Sequence, residues 1–228
     1  MRPCTWAIVP VKSLARAKRR LSPHLSAAMR RRLVLTMLED VLGVLAASAG
    51  VDRVLVVSPD ADVSLLAARK GAALLGEDRP DGLNAAVRRG LARACAEGAA
   101  QALVLPADVP LATAEEIASI VVWAPPPPNG RVRLVASADG DGTNALLLAP
   151  PGAIEPGFGR GSFARHLARA LARRCAAEVL QLPGLAADID RPRDLARLLA
   201  VRGPANRYGF LAAPPSAPSA APEQGTDQ

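Results

Sequence analysis

Aromatic residues are scarce in this chain of 228 residues: two Trp, one Tyr and three Phe make up 3% of it. That scarcity argues against an aromatic-rich sandwich core and leaves few rings on which nucleic-acid bases could stack. Cysteine is also sparse. Cys4, Cys95 and Cys175 lie far apart, odd in number and with no Cys-x-x-Cys pair, so neither a disulfide framework nor a zinc knuckle is expected, and a reducing cytoplasm is the expected compartment. There are two histidines, His24 and His166, and no Gly-x-Ser-x-Gly elbow, His-Glu-x-x-His motif or Cys/His ligand cluster, which disfavours acyl transfer and zinc hydrolysis. No run approaches the roughly 18 apolar residues that a membrane span requires, and the N-terminus lacks a long apolar segment with a small-residue cleavage site. A soluble, unprocessed protein with no membrane partner is expected.

Half of the residues are apolar, chiefly Ala and Leu, which suits helices layered on a sheet. The net charge of +7 and pI near 10.3 favour anionic partners: nucleic acid, a membrane surface or phosphorylated metabolites. Arg30, Arg31 and Arg32 form the densest basic run, inside an expected helix and without neighbouring aromatics, so a basic RNA-binding module stands as the alternative from a different class. Along the chain, strands at 5–11, 53–58, 72–75 and 102–105 alternate with helices at 26–46, 62–69 and 83–97, the pattern of parallel strands with crossover helices. Thr113-Ala114-Glu115-Glu116 is a capping box opening a further helix that ends near Trp123. Strands at 132–137 and 145–148 flank Asp139-Gly140-Asp141-Gly142, a hairpin signal. Ser162 is expected to cap a helix through Arg174, followed by a strand at 178–182 and a last helix at about 192–200. The whole reads as a single Rossmann-like α/β domain over 1–203, with a mostly parallel mixed sheet flanked by helices, and a Pro/Ala/Ser-rich mobile tail over 204–228.

Ligands in such folds sit beyond the carboxyl ends of the strands. Lys12 follows the first strand and Lys18 and Arg20 lie in the next loop, where they could grip a phosphate or simply form a solvated charged face. Asp108 leaves what should be a central strand; it could hold Mg²⁺ or cap its own turn. Asp188 and Asp190, two apart on an extended segment, point to one face and could share that cation, whereas Asp194 and Pro192 are explained by the start of the last helix. Gly82 permits close backbone approach and Asn84 offers a donor and an acceptor for a base edge, although a capping turn fits equally. Thr143 and the Gly159-Arg160-Gly161-Ser162 helix start could hold a carboxylate or phosphate. His166 is expected to pack or face solvent rather than act as a base.

These segments, Val9-Pro10-Val11-Lys12, Ala17-Lys18-Arg19-Arg20-Leu21, Gly82-Leu83-Asn84, Pro106-Ala107-Asp108-Val109-Pro110, Gly142-Thr143-Asn144-Ala145-Leu146, the stretch from Phe158 to His166 and Asp188-Ile189-Asp190, resemble in order the CofC/FbiD guanylyltransferases of deazaflavin (coenzyme F-420) biosynthesis. The resemblance covers about residues 5 to 200. It implies a MobA-like nucleotidyltransferase fold and transfer of GMP from GTP to a phosphorylated three-carbon acid: phosphoenolpyruvate, 2-phospho-L-lactate or 3-phospho-D-glycerate. It further implies Lys12, Lys18 and Arg20 on the triphosphate, Gly82 and Asn84 near the guanosine, and Asp108, Asp188 and Asp190 as magnesium ligands. Thr143, Gly159 and Ser162 would bind the acid. A Gly-rich first loop, as in molybdopterin relatives, is replaced here by Pro10-Val11-Lys12. A cytidylyl or sugar-phosphate nucleotidyltransferase is the alternative within the same fold, and an apolar helix face leaves room for a homodimer.

Overall fold

The computed structural model describes residues 3–76, 81–202 and 207–211. Its strands are β1 (Thr5–Pro10), β2 (Arg53–Ser58), β3 (Ala73–Gly76), β4 (Gln101–Val104), β5 (Arg131–Ala136), β6 (Thr143–Ala149) and β7 (Ala176–Val179). They form one sheet in the order β3-β2-β1-β4-β6-β5-β7. β6 pairs antiparallel with both β4 and β5; every other pairing is parallel. The helices are α1 (Ala27–Ala47), α2 (Ala61–Arg69), α3 (Leu83–Ala96), α4 (Ala114–Val121), α5 (Ser162–Ala172), α6 (Pro183–Ala186) and α7 (Pro192–Arg202).

Two apolar layers sandwich the sheet. The one containing α1, α2, α4 and α7 takes Leu33, Met37, Leu38, Val41, Leu42 and Leu45 from α1, all buried and recurring at helical spacing, so one helical stripe meets the sheet. Each such side chain contributes about 1.5–3 kcal/mol as apolar area removed from water. The other layer holds α3 and α5 against Ile8, Leu55, Val104, Leu134 and Leu146. Gly90 lets α3 lie close to the sheet, because a Cβ there would collide with the Ile8 side chain.

The chain runs outward from β1 to β2 and β3 and then returns on the other side of β1 to β4. The carboxyl ends of β1 and β4 therefore diverge at a switch point, the crevice where open α/β sheets bind ligands.

Several expected boundaries move. Ser162 does not cap α5: Gly159 and Gly161 adopt φ of +119° and +68°, Gly161 becomes the cap, and Ser162 enters the first turn with its N–H given to the Gly159 carbonyl. The left-handed conformations available to glycine start the helix one residue early. Within the expected tail, Tyr208 is buried in the α1-side core and donates to Asp40 at 2.7 Å, while Arg207 pairs with Asp40 at 2.9 Å. Composition alone hid this anchor, since one aromatic ring in a Pro/Ala-rich stretch carries its burial. Residues 203–206 and 212–228 lie outside the described residues.

Candidate active site

A cavity of about 690 Å³ opens at the β1/β4 switch point, lined by Lys12, Lys18, Gly82, Asp108 and Asp190 together with Pro10, Pro59 and Pro106. Five sequence-predicted residues from five separate segments thus converge on one cavity. Their assembly has a local cause. The Ile189 N–H donates to the Asp108 carbonyl at 3.0 Å, and Ile189 itself is fully buried, so residues 188–190 are stitched beside the exit of β4. Asp194 accepts from the N–H groups of Asp190 and Arg191, fixing the turn into α7.

Lys18 is the electrostatic centre. Its backbone is left-handed, with φ +48°, and its ammonium donates to Asp108 Oδ2 at 2.7 Å and Asp190 Oδ1 at 2.6 Å. Burial alone would push this ammonium down; the charges of Asp108 and Asp190 and the two hydrogen bonds outweigh it and hold it above the ordinary lysine value. Arg20 reaches Asp190 from solvent at 3.4 Å. Burial would raise the Asp190 carboxyl, but Lys18, then Arg20 and Lys12, bring it below the ordinary aspartate value. The lysine loop is tethered by Arg30, which donates to the carbonyls of Ala17 and Leu25.

Asp188 behaves differently from its neighbour. It does not line the main cavity but a cleft of about 50 Å³ beside it, shared with Arg20, Asp190, Arg191 and Arg197. Asn144 Nδ2 donates to Asp188 Oδ1 at 3.1 Å and to the Ala186 carbonyl at 3.0 Å. Burial pushes the Asp188 carboxyl up, the Asn144 bond offsets part of this, and the charges of Asp108 and Asp190 add to the rise. Three carboxylates in one neighbourhood, one of them penalised by the other two, suit a hard cation. Among the described residues, however, no three His, Cys, Asp or Glu side chains converge as a ready metal cage; the Lys18 ammonium stands between Asp108 and Asp190 instead.

Asn84 is not directed at the cavity. Its Oδ1 accepts from the Phe158 N–H at 2.7 Å and its Nδ2 donates to the Phe158 carbonyl at 3.0 Å, so both ends of the amide are taken by one residue of the loop before α5. Gly82, with φ +91°, is the α3 cap and does face the cavity. Thr143, Gly159 and Ser162 gather around α5 rather than on the cavity wall, and Thr143 Oγ1 is 2.9 Å from His166 Nδ1.

Asn144, which the sequence did not single out by itself, donates to Asp188, and His166, expected to pack or face solvent, is buried against Thr143 and Gly157. Asn144 sits inside the Gly142–Leu146 motif next to Thr143, and successive strand residues face opposite sides, so alternation turns it away from Thr143, but its partner Asp188 lies 44 residues on and no local pattern names it. The basic run is engaged within the chain: Arg30 as above, Arg31 with Asp60 and Asp62, and Arg32 over the Phe210 ring at 4.2 Å.

Comparison with known proteins identifies the family. A model of the family described as "Guanylyl transferase CofC like" matches residues 5–212. A phosphoenolpyruvate guanylyltransferase from Sphaerobacter thermophilus is 46% identical over 194 residues, covering 85% of this chain and 92% of the relative. A 3-phospho-D-glycerate guanylyltransferase from Phenylobacterium zucineum is 40% identical over 88% of this chain and 91% of the relative. A 2-phospho-L-lactate guanylyltransferase from Methanothermobacter thermautotrophicus is 35% identical over 86% and 84%. Among solved structures, a nucleotidyl transferase from the same archaeon superposes with a TM-score of 0.64 at 18% identity, over 86% of this chain and 95% of that one, a likeness of fold. With its family model spanning nearly the whole described domain and its relatives alike over most of their length, the chain belongs to the CofC-like guanylyl transferases.

Proposed function

We propose that this enzyme transfers GMP from GTP to the phosphate of phosphoenolpyruvate, with 2-phospho-L-lactate and 3-phospho-D-glycerate as the neighbouring substrates, and that it does so in coenzyme F-420 biosynthesis. The observation that carries the reading is the Lys18 ammonium seated between Asp108 and Asp190 on the wall of the switch-point cavity. A cation-and-carboxylate pair at that crevice suits a metal-bound triphosphate. The relative at 46% identity is named for phosphoenolpyruvate, which favours that acid.

In the proposed step a phosphate oxygen of the acid attacks the α-phosphorus of GTP in line, the new P–O bond forms as the bond to the β-phosphate bridging oxygen breaks, and pyrophosphate leaves. The attacking phosphate has a second pKa of about 6 and is largely ionised at neutral pH, so no general base is required. Lys12 and Lys18 offset charge on the triphosphate, and Arg20 extends that positive wall toward solvent. Asp108, Asp188 and Asp190 would hold Mg²⁺, which when bound supplies charge neutralisation of the phosphoryl oxygens. Asn144 keeps the Asp188 carboxylate turned toward its partners. Gly82 gives the guanosine close access to the start of α3, and Thr143, Gly159 and Ser162 receive the acid.

The test is pyrophosphate release by the purified protein with Mg²⁺, GTP and each acid in turn, with CTP as the control nucleotide. GTP-dependent release with phosphoenolpyruvate is expected. Silence with all three acids, or a preference for CTP, would sink the reading.

A further inference from the structure

We propose that His166 is a positioning residue of the phospho-acid subsite: as a neutral imidazole protonated on Nδ1, it fixes loop 157–161 and leaves the Thr143 hydroxyl proton free for the substrate. The inference rests on the reading above, in which Thr143, Gly159 and Ser162 receive the acid.

The tautomer follows from the partners. The Gly157 backbone N–H lies 2.8 Å from His166 Nε2, and an amide N–H can only donate, so Nε2 must present its lone pair. The ring proton is then on Nδ1 and is donated to Thr143 Oγ1 at 2.9 Å. A hydroxyl that accepts here keeps its own proton for another acceptor. An imidazolium could not accept from Gly157. The surroundings oppose that form: His166 is fully buried, Arg165 and Arg169 add positive charge, and together these push its pKa down to about 4.

Further side chains hold the same loop. Asn84 grips both sides of Phe158, and the Phe158 ring packs edge-on against the imidazole with centroids 4.9 Å apart. Arg165 donates to the carbonyls of Gly157 and Arg160. A Cβ at Gly157 would meet the guanidinium of Arg169 and the stem of Arg165, so a side chain there would displace both arginines. Five side-chain hydrogen bonds reach this one short loop. They leave the N–H groups of Gly159, Arg160 and Gly161 without a partner among the described residues.

The experiment combines three measurements on wild type, His166→Leu and His166→Gln. Long-range ¹H–¹⁵N correlation at pH 7 is expected to show the Nδ1–H tautomer; an Nε2–H tautomer or an imidazolium overturns the proposal. Steady-state kinetics are expected to show an acid KM raised about tenfold or more in His166→Leu, the loss of one buried hydrogen bond. The GTP KM should stay within about twofold, and most of the loss should be recovered in His166→Gln, whose amide oxygen can accept from Gly157. An unchanged acid KM, or both KM values rising together, overturns it. Amide exchange at Gly157 should accelerate about tenfold or more in His166→Leu and stay slow in His166→Gln; equal protection in all three proteins overturns it. Should His166→Leu fail to fold, the tautomer and the His166→Gln kinetics decide alone, an acid KM raised about tenfold or more in His166→Gln counting against it. Wild-type inertness toward every acid refutes the functional reading, and the tautomer and exchange data still decide whether His166 holds the loop.

Discussion

Replacing Lys18 by Met removes the cation between Asp108 and Asp190 while keeping much of the buried stem. The side chain is 8% exposed, whereas Asp108 and Asp190 are 31% and 37% exposed. Removing one partner of a fully buried pair costs about 3–5 kcal/mol; because water reaches both carboxylates here, about 1–3 kcal/mol is the appropriate discount. The left-handed backbone at Lys18 costs a non-glycine residue about 1–2 kcal/mol in wild type and variant alike, so it adds nothing to the difference. Urea unfolding followed by circular dichroism should show the lower midpoint. Turnover should fall about 10²- to 10³-fold, the usual size of a lost preorganised charge-stabilising contact. Metal binding should move the other way: with the ammonium gone, Mn²⁺ titrated into nucleotide-free Lys18→Met and followed by electron paramagnetic resonance should bind more tightly than to wild type. A variant with wild-type turnover, or one that is more stable and binds Mn²⁺ no better, would refute the reasoning.

Asp188→Asn should raise the urea midpoint while abolishing turnover, because the ionised carboxylate is penalised by burial and by its two acidic neighbours; a lower midpoint would contradict that account. Asp108→Asn should leave the circular dichroism spectrum intact and reduce turnover by about 10³-fold or more, read by pyrophosphate release. Asn84→Asp should raise the acid KM rather than the GTP KM, because a carboxylate cannot donate to the Phe158 carbonyl; a selective loss of GTP binding would restore a base-recognition role. His166 has a folded pKa of about 4 against an ordinary 6.5, so between these values the unfolded chain binds the extra proton and stability falls as pH drops from about 6.5 to 4. That group alone accounts for about 3 kcal/mol, and the loss should be absent from the unfolding curves of His166→Gln.

The β–α alternation was legible because buried parallel strands such as Ala7–Val9 and Leu55–Val57 are continuous apolar runs and α1 carries a helical stripe. Lys12, Lys18, Asp108 and Asp190 were legible as well, since each follows a strand or precedes a helix where the fold exposes its ligand-binding edge. What pattern could not give was partnership. Asn84 reads as a base reader or a cap from its neighbours, yet its partner is 74 residues away. His166 reads as an ordinary helical histidine until Gly157 and Thr143 are brought to its two nitrogens. Tyr208 needed Asp40 and the α1-side core to distinguish an anchor from a tail. In each case the deciding interaction is long-range, and local composition carries no trace of it.

Attack by the phosphate of a three-carbon acid on the α-phosphorus of GTP would leave a new diphosphate bond in the guanylylated acid. Phosphorus-31 NMR of GTP, phosphoenolpyruvate and Mg²⁺ with the enzyme tests it most directly. A pair of coupled diphosphate resonances from the guanylylated acid, growing in step with free pyrophosphate, is expected. Accumulation of GDP with orthophosphate, or GTP left unchanged beside each of the three acids, would contradict it.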